Sequence, residues 1–240
     1  MDKSIFTQHI SRQFNADLED IVNRVMAMGG LVEKQLADGL QALADGNQEL
    51  AETVLTRDYQ INAMEVELDD ACTHILARRQ PTASDLRLVM AVIKTITDLE
   101  RIGDEAERVG RTALHLLERD RAVAPLTEID ALGEHVRRMV NNALDAFVRM
   151  DAEAAARTAQ MDINADSQYE VIIRELLKAM EAHPDSIPRL MDVIWATRSL
   201  ERIGDRSRNI CEYVIYFVKG KDVRHTSFQT MAEEATGDRR

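Results

Sequence analysis

Two stretches decide how this chain is read: "IKTITDLERIGDEAERVGRTALHLL", residues 93–117, and "ATRSLERIGDRSRNICEYVIYFVKG", residues 196–220. Each contains LERIGD, first as Leu99–Asp104 and then as Leu200–Asp205, 101 residues apart. Each copy sets a glutamate four residues before an aspartate, around a glycine, in a run with helical periodicity. Like charges at i and i+4 weaken a helix, and a glycine inside one costs about 1 kcal/mol relative to alanine. A chain that accepts both costs twice, in the same order, calls for a shared reason.

Outward from these copies the periodicity is helical throughout. Phe14, Leu18, Ile21, Val25, Met28, Val32, Leu36, Leu40 and Leu43 form one apolar stripe in steps of three and four. Asp45-Gly46-Asn47 ends that helix. A second segment carries Leu50, Val54, Ile61, Met64, Leu68 and Ile75, and stops at "RRQP". The stretch Thr82-Ala83-Ser84-Asp85 reads as the start of a third, which runs to about Glu118. The charge cluster and proline of "RDRAVAPLTEI" break the pattern, with Thr127 as a cap candidate. A fourth segment follows through Leu132, Val136, Val140, Leu144 and Phe147. Asp151 caps a fifth, read as continuous to about Ala182. After "HPDSIP", Pro188 fits the first turn of a sixth helix that reaches Lys219. Beyond it the chain is polar and aperiodic and is expected to be loose.

The segments fall into two matching sets of three. Ile187 falls opposite Leu86 at the LERIGD offset, and Asp58 falls opposite Asp162 at an offset of 104, so the second half is slightly shorter between its second and third helices. This is an internal duplication. The expected fold is all-α, two tandem three-helix bundles built from six long helices of about 45 Å each. The expected boundaries are 11–120 for the first repeat, 126–219 for the second and 220–240 for the tail. Gly29 and Gly30 in "MAMGG" interrupt the first helix and point to close packing or a bend.

Composition bounds the function. The formal net charge is −12, which argues against nucleic-acid binding. No apolar run reaches the roughly 20 residues of a spanning helix, and the N-terminus lacks a signal-peptide core, so a cytoplasmic location is expected, with any membrane link through partners. Cys72 and Cys211 fit no metal or redox spacing and read as core residues.

On a helix Glu100 and Asp104 share a face, as do Glu201 and Asp205. Asp162 and Asp166 form another such pair on the fifth helix, and Asp58 with Asn62 is its counterpart on the second. Clustered carboxylates repel unless cations neutralise them, and hard cations prefer oxygen ligands. These residues, with Asn209 one turn beyond Asp205, are candidate ligands for divalent or ferric ions: Mg, Mn, Zn or Fe. Arg108 stands where the second half has Asn209 and can pair with Asp104, which makes the second site the stronger expectation. A metal-dependent carboxylate enzyme or metal-storage bundle is the alternative. Such sites use Glu-x-x-His pairs, and none occurs here. Asp70 and His74, at i and i+4, read as surface residues. With no phosphate loop, nucleophile elbow or zinc motif, no catalytic residue is assigned. A third reading is a scaffold whose acidic strips bind partner arginines directly.

The chain resembles the PhoU family, accessory proteins of the phosphate-specific transport system. The likeness rests on "FNADLE" near the start, "MGG", "RQPTASDLRLVM", and "ERIGDRSRNICEYVIYFVKG" at the end, and covers about residues 5–225. The resemblance implies a non-enzymatic negative regulator of the phosphate-starvation response. It implies contact with the ATP-binding subunit of the phosphate ABC transporter and with a phosphate-sensor histidine kinase, and restraint of phosphate uptake. It implies a homodimer held near the inner membrane through those partners. Family metal motifs map onto Glu100 and Asp104, Glu201 and Asp205, and Asp162 with Asp166; Asn62 departs from the acidic pattern.

Overall fold

In a computed structural model that describes residues 12–81, 83–118 and 126–237, the chain is helical, and no strand occurs among those residues. Helices α1 (Arg12–Asp45), α2 (Gln48–Arg79) and α3 (Ala83–Leu117) form one bundle. Helices α4 (Leu126–Arg149), α5 (Ala152–Ala159), α6 (Asp162–Ala182) and α7 (Ile187–Lys219) form the other. A 3-10 turn (Pro184–Ser186) leads into α7, and α8 (Phe228–Thr236) closes the described chain. The expected cap at Thr82 and the expected break over residues 119–125 lie outside the described residues, as does residue 11.

Local chemistry accounts for the helix ends. Gly46 takes φ +63°, and the Asn47 side chain accepts from the Leu50 N–H at 3.0 Å to start α2. Asp151 caps α5 by accepting from Ala154 N–H at 2.8 Å. Pro188 sits in the first turn of α7, and Gly220 ends it in the left-handed region, donating to Tyr216 O at 2.8 Å. Thr127 lies inside α4 rather than ahead of it.

The core follows the expected stripes. Val25, Met28, Val32 and Leu36 of α1 are fully buried, as are Leu99, Ile102 and Val109 of α3 and Leu200, Ile203 and Ile210 of α7. The two bundles join where α3 packs along α7. Across that seam Asp98 meets Arg206 and Tyr213, Glu105 meets Arg202, and His115 meets Asp192. The helices are therefore antiparallel, with the two LERIGD copies level at the crossing. The duplicated halves are related by an approximate two-fold axis there.

Two expectations change. The fifth helix is not continuous: the Met161 N–H closes on Thr158 O at 3.0 Å, a tightened turn, and a new helix starts at Asp162. His135 of α4 braces this break, its Nε2 donating to Met161 O at 2.9 Å. The break places the Asp162 carboxylate in the first turn of α6, where the helix dipole favours a negative charge. The tail is not loose over its described part: Ser227 caps α8, and Val223, Met231 and Ala235 are buried, with α8 set against α5 and α7. Two apolar residues one turn apart are too short a pattern to read as a helix.

α1 runs unbroken through Gly29 and Gly30. A Cβ on Gly29 would meet Leu144 Cδ1 and Cδ2 of α4 at 2.8 Å, whereas one on Gly30 would meet nothing within 4 Å. We expect Gly30→Ala to stabilise the chain by about 1 kcal/mol through helix propensity. Gly29→Ala should lose that gain to overpacking against Leu144. Thermal unfolding of the two variants checks the contrast: a higher Tm for Gly30→Ala and none for Gly29→Ala.

Candidate functional site: two carboxylate clusters beside the LERIGD glycines

The glycines of LERIGD face inward, each toward its own bundle. A Cβ on Gly103 would come within 3.2–3.3 Å of Ile61 on α2 and Gln35 Oε1 on α1. A Cβ on Gly204 would come within 3.2 Å of Asp162 Oδ1 and 3.5 Å of Ala165 on α6, and 3.6 Å of Val136 on α4. The contacts match across the duplication, Ile61 with Ala165 and Gln35 with Val136. The glycine thus lets a helix carrying carboxylates press close to the acid pair, which is why the cost in helix propensity recurs.

In the first half Asp58 lies against this strip. Its Oδ1 accepts from Gln35 Nε2 at 3.5 Å and its Oδ2 accepts from Asn62 Nδ2 at 3.0 Å. Gln35 is fully buried and also donates to Val54 O at 3.2 Å. Burial raises the Glu100 carboxyl to about 6, and Asp104, Glu65 and Asp58 push in the same direction. Burial and then Asp58 raise Asp104, opposed by Arg108. Arg108 bonds Glu105 at 2.7 Å, not Asp104.

The second half gathers the corresponding acids around a cation of its own. Arg208 bonds the Asp162 carboxylate and reaches Asp205 Oδ1 at 3.2 Å and Glu212 at 3.8 Å. Burial pulls this guanidinium down, and Asp162, Asp205 and Glu212 outweigh it, so its net direction is up. Asp162 is nearly inaccessible, and burial raises it to about 6 in spite of Arg208. Glu201 is raised by burial and by Asp205, and its Oε1 accepts from Arg198 at 2.5 Å. Asp166 is raised by burial and by Asp205. The residue matching Arg208 in the first half is Glu107, which bonds Arg111 at 2.5 Å.

The premise for a stronger second cluster, Arg108 paired with Asp104, is not what is found: Arg108 bonds Glu105, while Arg208 bonds Asp162 and Asp205 of the second cluster, and among the described residues no guanidinium bonds Asp58, Glu100 or Asp104. Asn209 also leaves the cluster. It lies on the same α7 face as Arg206 and Tyr213, the residues that bond Asp98 of α3, and it helps hold the Asp98 carboxyl down. Helical phase explains this, since residues 206, 209 and 213 form one stripe and 205, 208 and 212 the next. The surface reading of Asp70 and His74 matches their exposure. Both cysteines are free and buried, and burial pushes Cys72 up to about 12.

The donor set suits a hard cation. Beside the carboxylates, Asn62 Oδ1 and Gln35 Oε1 in the first half, and Asp162 Oδ1 and Glu201 Oε2 in the second, are buried oxygens without a hydrogen-bond donor. Each of these atoms has a lone pair free, as an oxygen ligand would, although the Asp162 and Glu201 carboxylates are bonded through their other oxygen to Arg208 and Arg198. Among the described residues, however, no three His, Cys, Asp or Glu side chains already converge as a metal cage. Two contributors escaped sequence reading. Gln35 is a polar residue inside the apolar stripe of α1, and Arg208 is a charge reversal against its repeat partner Glu107; each was a visible signal.

The PhoU domain family matches the chain over residues 25–113 and 129–214, one match per half. This chain belongs to the PhoU family. It is 49% identical over 239 residues to the phosphate-specific transport system accessory protein PhoU homolog of Pseudomonas aeruginosa, covering 100% of this chain and 99% of that protein. It is 47% identical to the accessory protein PhoU of Escherichia coli K12, covering 94% and 93%. The crystal structure of PhoU from Pseudomonas aeruginosa superposes with a TM-score of 0.84 at 50% identity, over 87% of this chain and all of that one. PhoU from Streptococcus pneumoniae, described as a phosphate transport system regulatory protein, superposes at 0.82 with 29% identity, over 88% and 99%. The PhoU fold thus extends over both halves and the seam between them.

The raised Glu100 sets a pH dependence. The unfolded chain releases this proton near 4.5 and the folded chain holds it to about 6. Its contribution to stability is thus fully present below 4.5 and is lost as pH rises through 6. Glu100→Gln, which stays neutral, should stabilise the metal-free protein at about pH 7 and leave it unchanged at about pH 4. Urea unfolding at both values tests this; an equal effect at both would disprove it.

Proposed function

We propose that this PhoU-family chain is a non-enzymatic regulator of phosphate homeostasis, accessory to a phosphate-specific transport system. The observation that carries this reading is identity of nearly half the residues, end to end, with proteins bearing that description. No helix among the described residues is long and apolar enough to cross a membrane. In this reading the chain reaches a transporter by docking. It works in the cytoplasm as a homodimer, peripheral to the inner membrane through its partners. It contacts the transporter's ATP-binding subunit and the phosphate-sensor histidine kinase, restrains uptake and represses the phosphate-starvation response.

The carboxylate clusters give this regulator a cation-dependent surface. Asp58, Asn62, Glu100 and Asp104 hold Mg, Mn, Zn or Fe in the first half; Asp162, Asp166, Glu201 and Asp205 do so in the second when Arg208 yields. A bound cation supplies the positive charge that cancels carboxylate repulsion. Removing Arg208 while keeping the acids should favour cations at the second cluster. Arg208→Ala should raise manganese affinity by about tenfold or more, as expected for removal of a competing bonded charge. Glu100→Ala with Asp104→Ala should remove binding at the first cluster. Calorimetric titration with manganese reads both, and unchanged isotherms with intact helicity would refute the assignment.

The regulatory reading is tested by immobilising the chain and presenting the transporter ATP-binding subunit and the kinase, with and without chelator. Retention of both is expected, weakened by chelator. Retention of neither under any condition would overturn the partner assignment, whatever the metal titrations give.

A further inference from the structure

The approximate two-fold axis at the α3–α7 crossing relates two ends of the seam, and the two ends are filled differently. At the end where α3 begins, the Lys94 ammonium stands over the rings of Tyr213 and Tyr216, 5.4 and 5.5 Å from their centroids. Tyr213 OH donates to Asp98 at 2.9 Å. The aromatic rings of α7 thus close that end against α3.

At the other end the matching residues are smaller or reversed. Thr112 and His115 occupy the places of Tyr213 and Tyr216, and Trp195 occupies that of Lys94. What remains is a groove of about 340 Å³ between Arg108, Arg111, Thr112 and His115 on α3 and Trp195 and Arg202 on α7. Trp195 is 60% exposed. Ile187 and Met191, spaced one turn apart on the same face of α7, extend the exposed apolar strip. Their repeat partners Leu86 and Met90 are exposed too, so an uncovered apolar pair recurs in both halves. Only the α7 copy adds an indole and a ring of arginines.

The charge around the groove runs against the rest of the chain. Four arginines, Arg108, Arg111, Arg198 and Arg202, line it against one carboxylate, Asp192, which faces His115, on a protein of net charge −12. Their internal partners stand behind them: Glu105 takes both Arg108 and Arg202, Glu107 takes Arg111, and Glu201 takes Arg198. Glu105 and Glu201 are themselves buried, but the guanidinium groups that reach them stay partly exposed, and each carries more N–H donors than these contacts use, so the outer donors can meet incoming carboxylates. Tryptophan and arginine together are also the side chains that most often dominate protein interfaces.

We propose that this groove is a docking site for an acidic segment of a partner protein that presents one aromatic side chain. The aromatic ring stacks on Trp195 and fills the space that Tyr213 and Tyr216 fill at the opposite end. Flanking carboxylates meet Arg108, Arg111 and Arg202. The assignment does not depend on metal at either carboxylate cluster.

Trp195 is the single tryptophan of the chain, so its emission reports on this groove alone. The full chain is titrated with the blocked peptide Glu-Glu-Phe-Glu-Glu, with its Phe-to-Ala analogue and with Lys-Lys-Phe-Lys-Lys. A saturable blue shift is expected for the first peptide only. Arg111→Glu, with helicity checked by circular dichroism, should weaken it by about tenfold, the scale of a lost charge pair. No shift, or an equal shift with the lysine peptide, would overturn the proposal. So would a shift driven by protein concentration alone with a doubled mass in light scattering, because the occupant would then be a second copy of this chain.

Discussion

The antiparallel packing of α3 on α7 is the contact on which the rest of the molecule depends. A three-helix unit buries one stripe of its third helix internally and leaves a second stripe beside it. In this chain the duplicated third helices cover each other's second stripe, so neither half completes its core alone. The seam is tied by Glu105 with Arg202 and by Asp98 with Tyr213 and Arg206. Burial pushes Asp98 up, and its hydrogen bond to Tyr213, with Arg206 and Asn209 nearby, acts against that push. These polar groups are expensive to bury and cheap only in one register, so they fix where one helix lies along the other.

The two matching halves differ in charge at equivalent positions. Arg208 bonds Asp162 and Asp205 of the second carboxylate cluster from within, and Glu107 in its place leaves the first without that guanidinium. The α5–α6 break has no counterpart in α2, which runs unbroken past Asp58. One consequence is that Asp162 starts a helix while Asp58 sits in the middle of one. The two clusters share a ground plan and differ in field.

Most of the fold was legible in the sequence because it rests on periodicity. All nine apolar residues read on α1, from Phe14 to Leu43, are buried. The caps at Asn47 and Asp151 and the stop at Gly220 follow from side chains that act within one turn. The break at Met161 was not legible, since it is held by His135 of another helix. Nor was α8, whose buried residues number two, Met231 and Ala235. The acid–glycine–acid face was visible through its repetition. That Asn209 turns toward Asp98 and that Arg208 enters the cluster depended on a rotation of a few tens of degrees about α7, set by the seam.

The sequence by itself determined the helical class, the duplication, the helix boundaries set by local caps and the residues that must be buried. Those follow from interactions within one helix or from the need to hide apolar stripes, and both leave periodic marks. Only the tertiary structure decided which carboxylates are bonded by arginine, why glycine sits between them, and that one end of the seam closes on tyrosines while the other stays open beside Trp195. Those outcomes depend on distances between side chains far apart in the chain, and no local spacing encodes them.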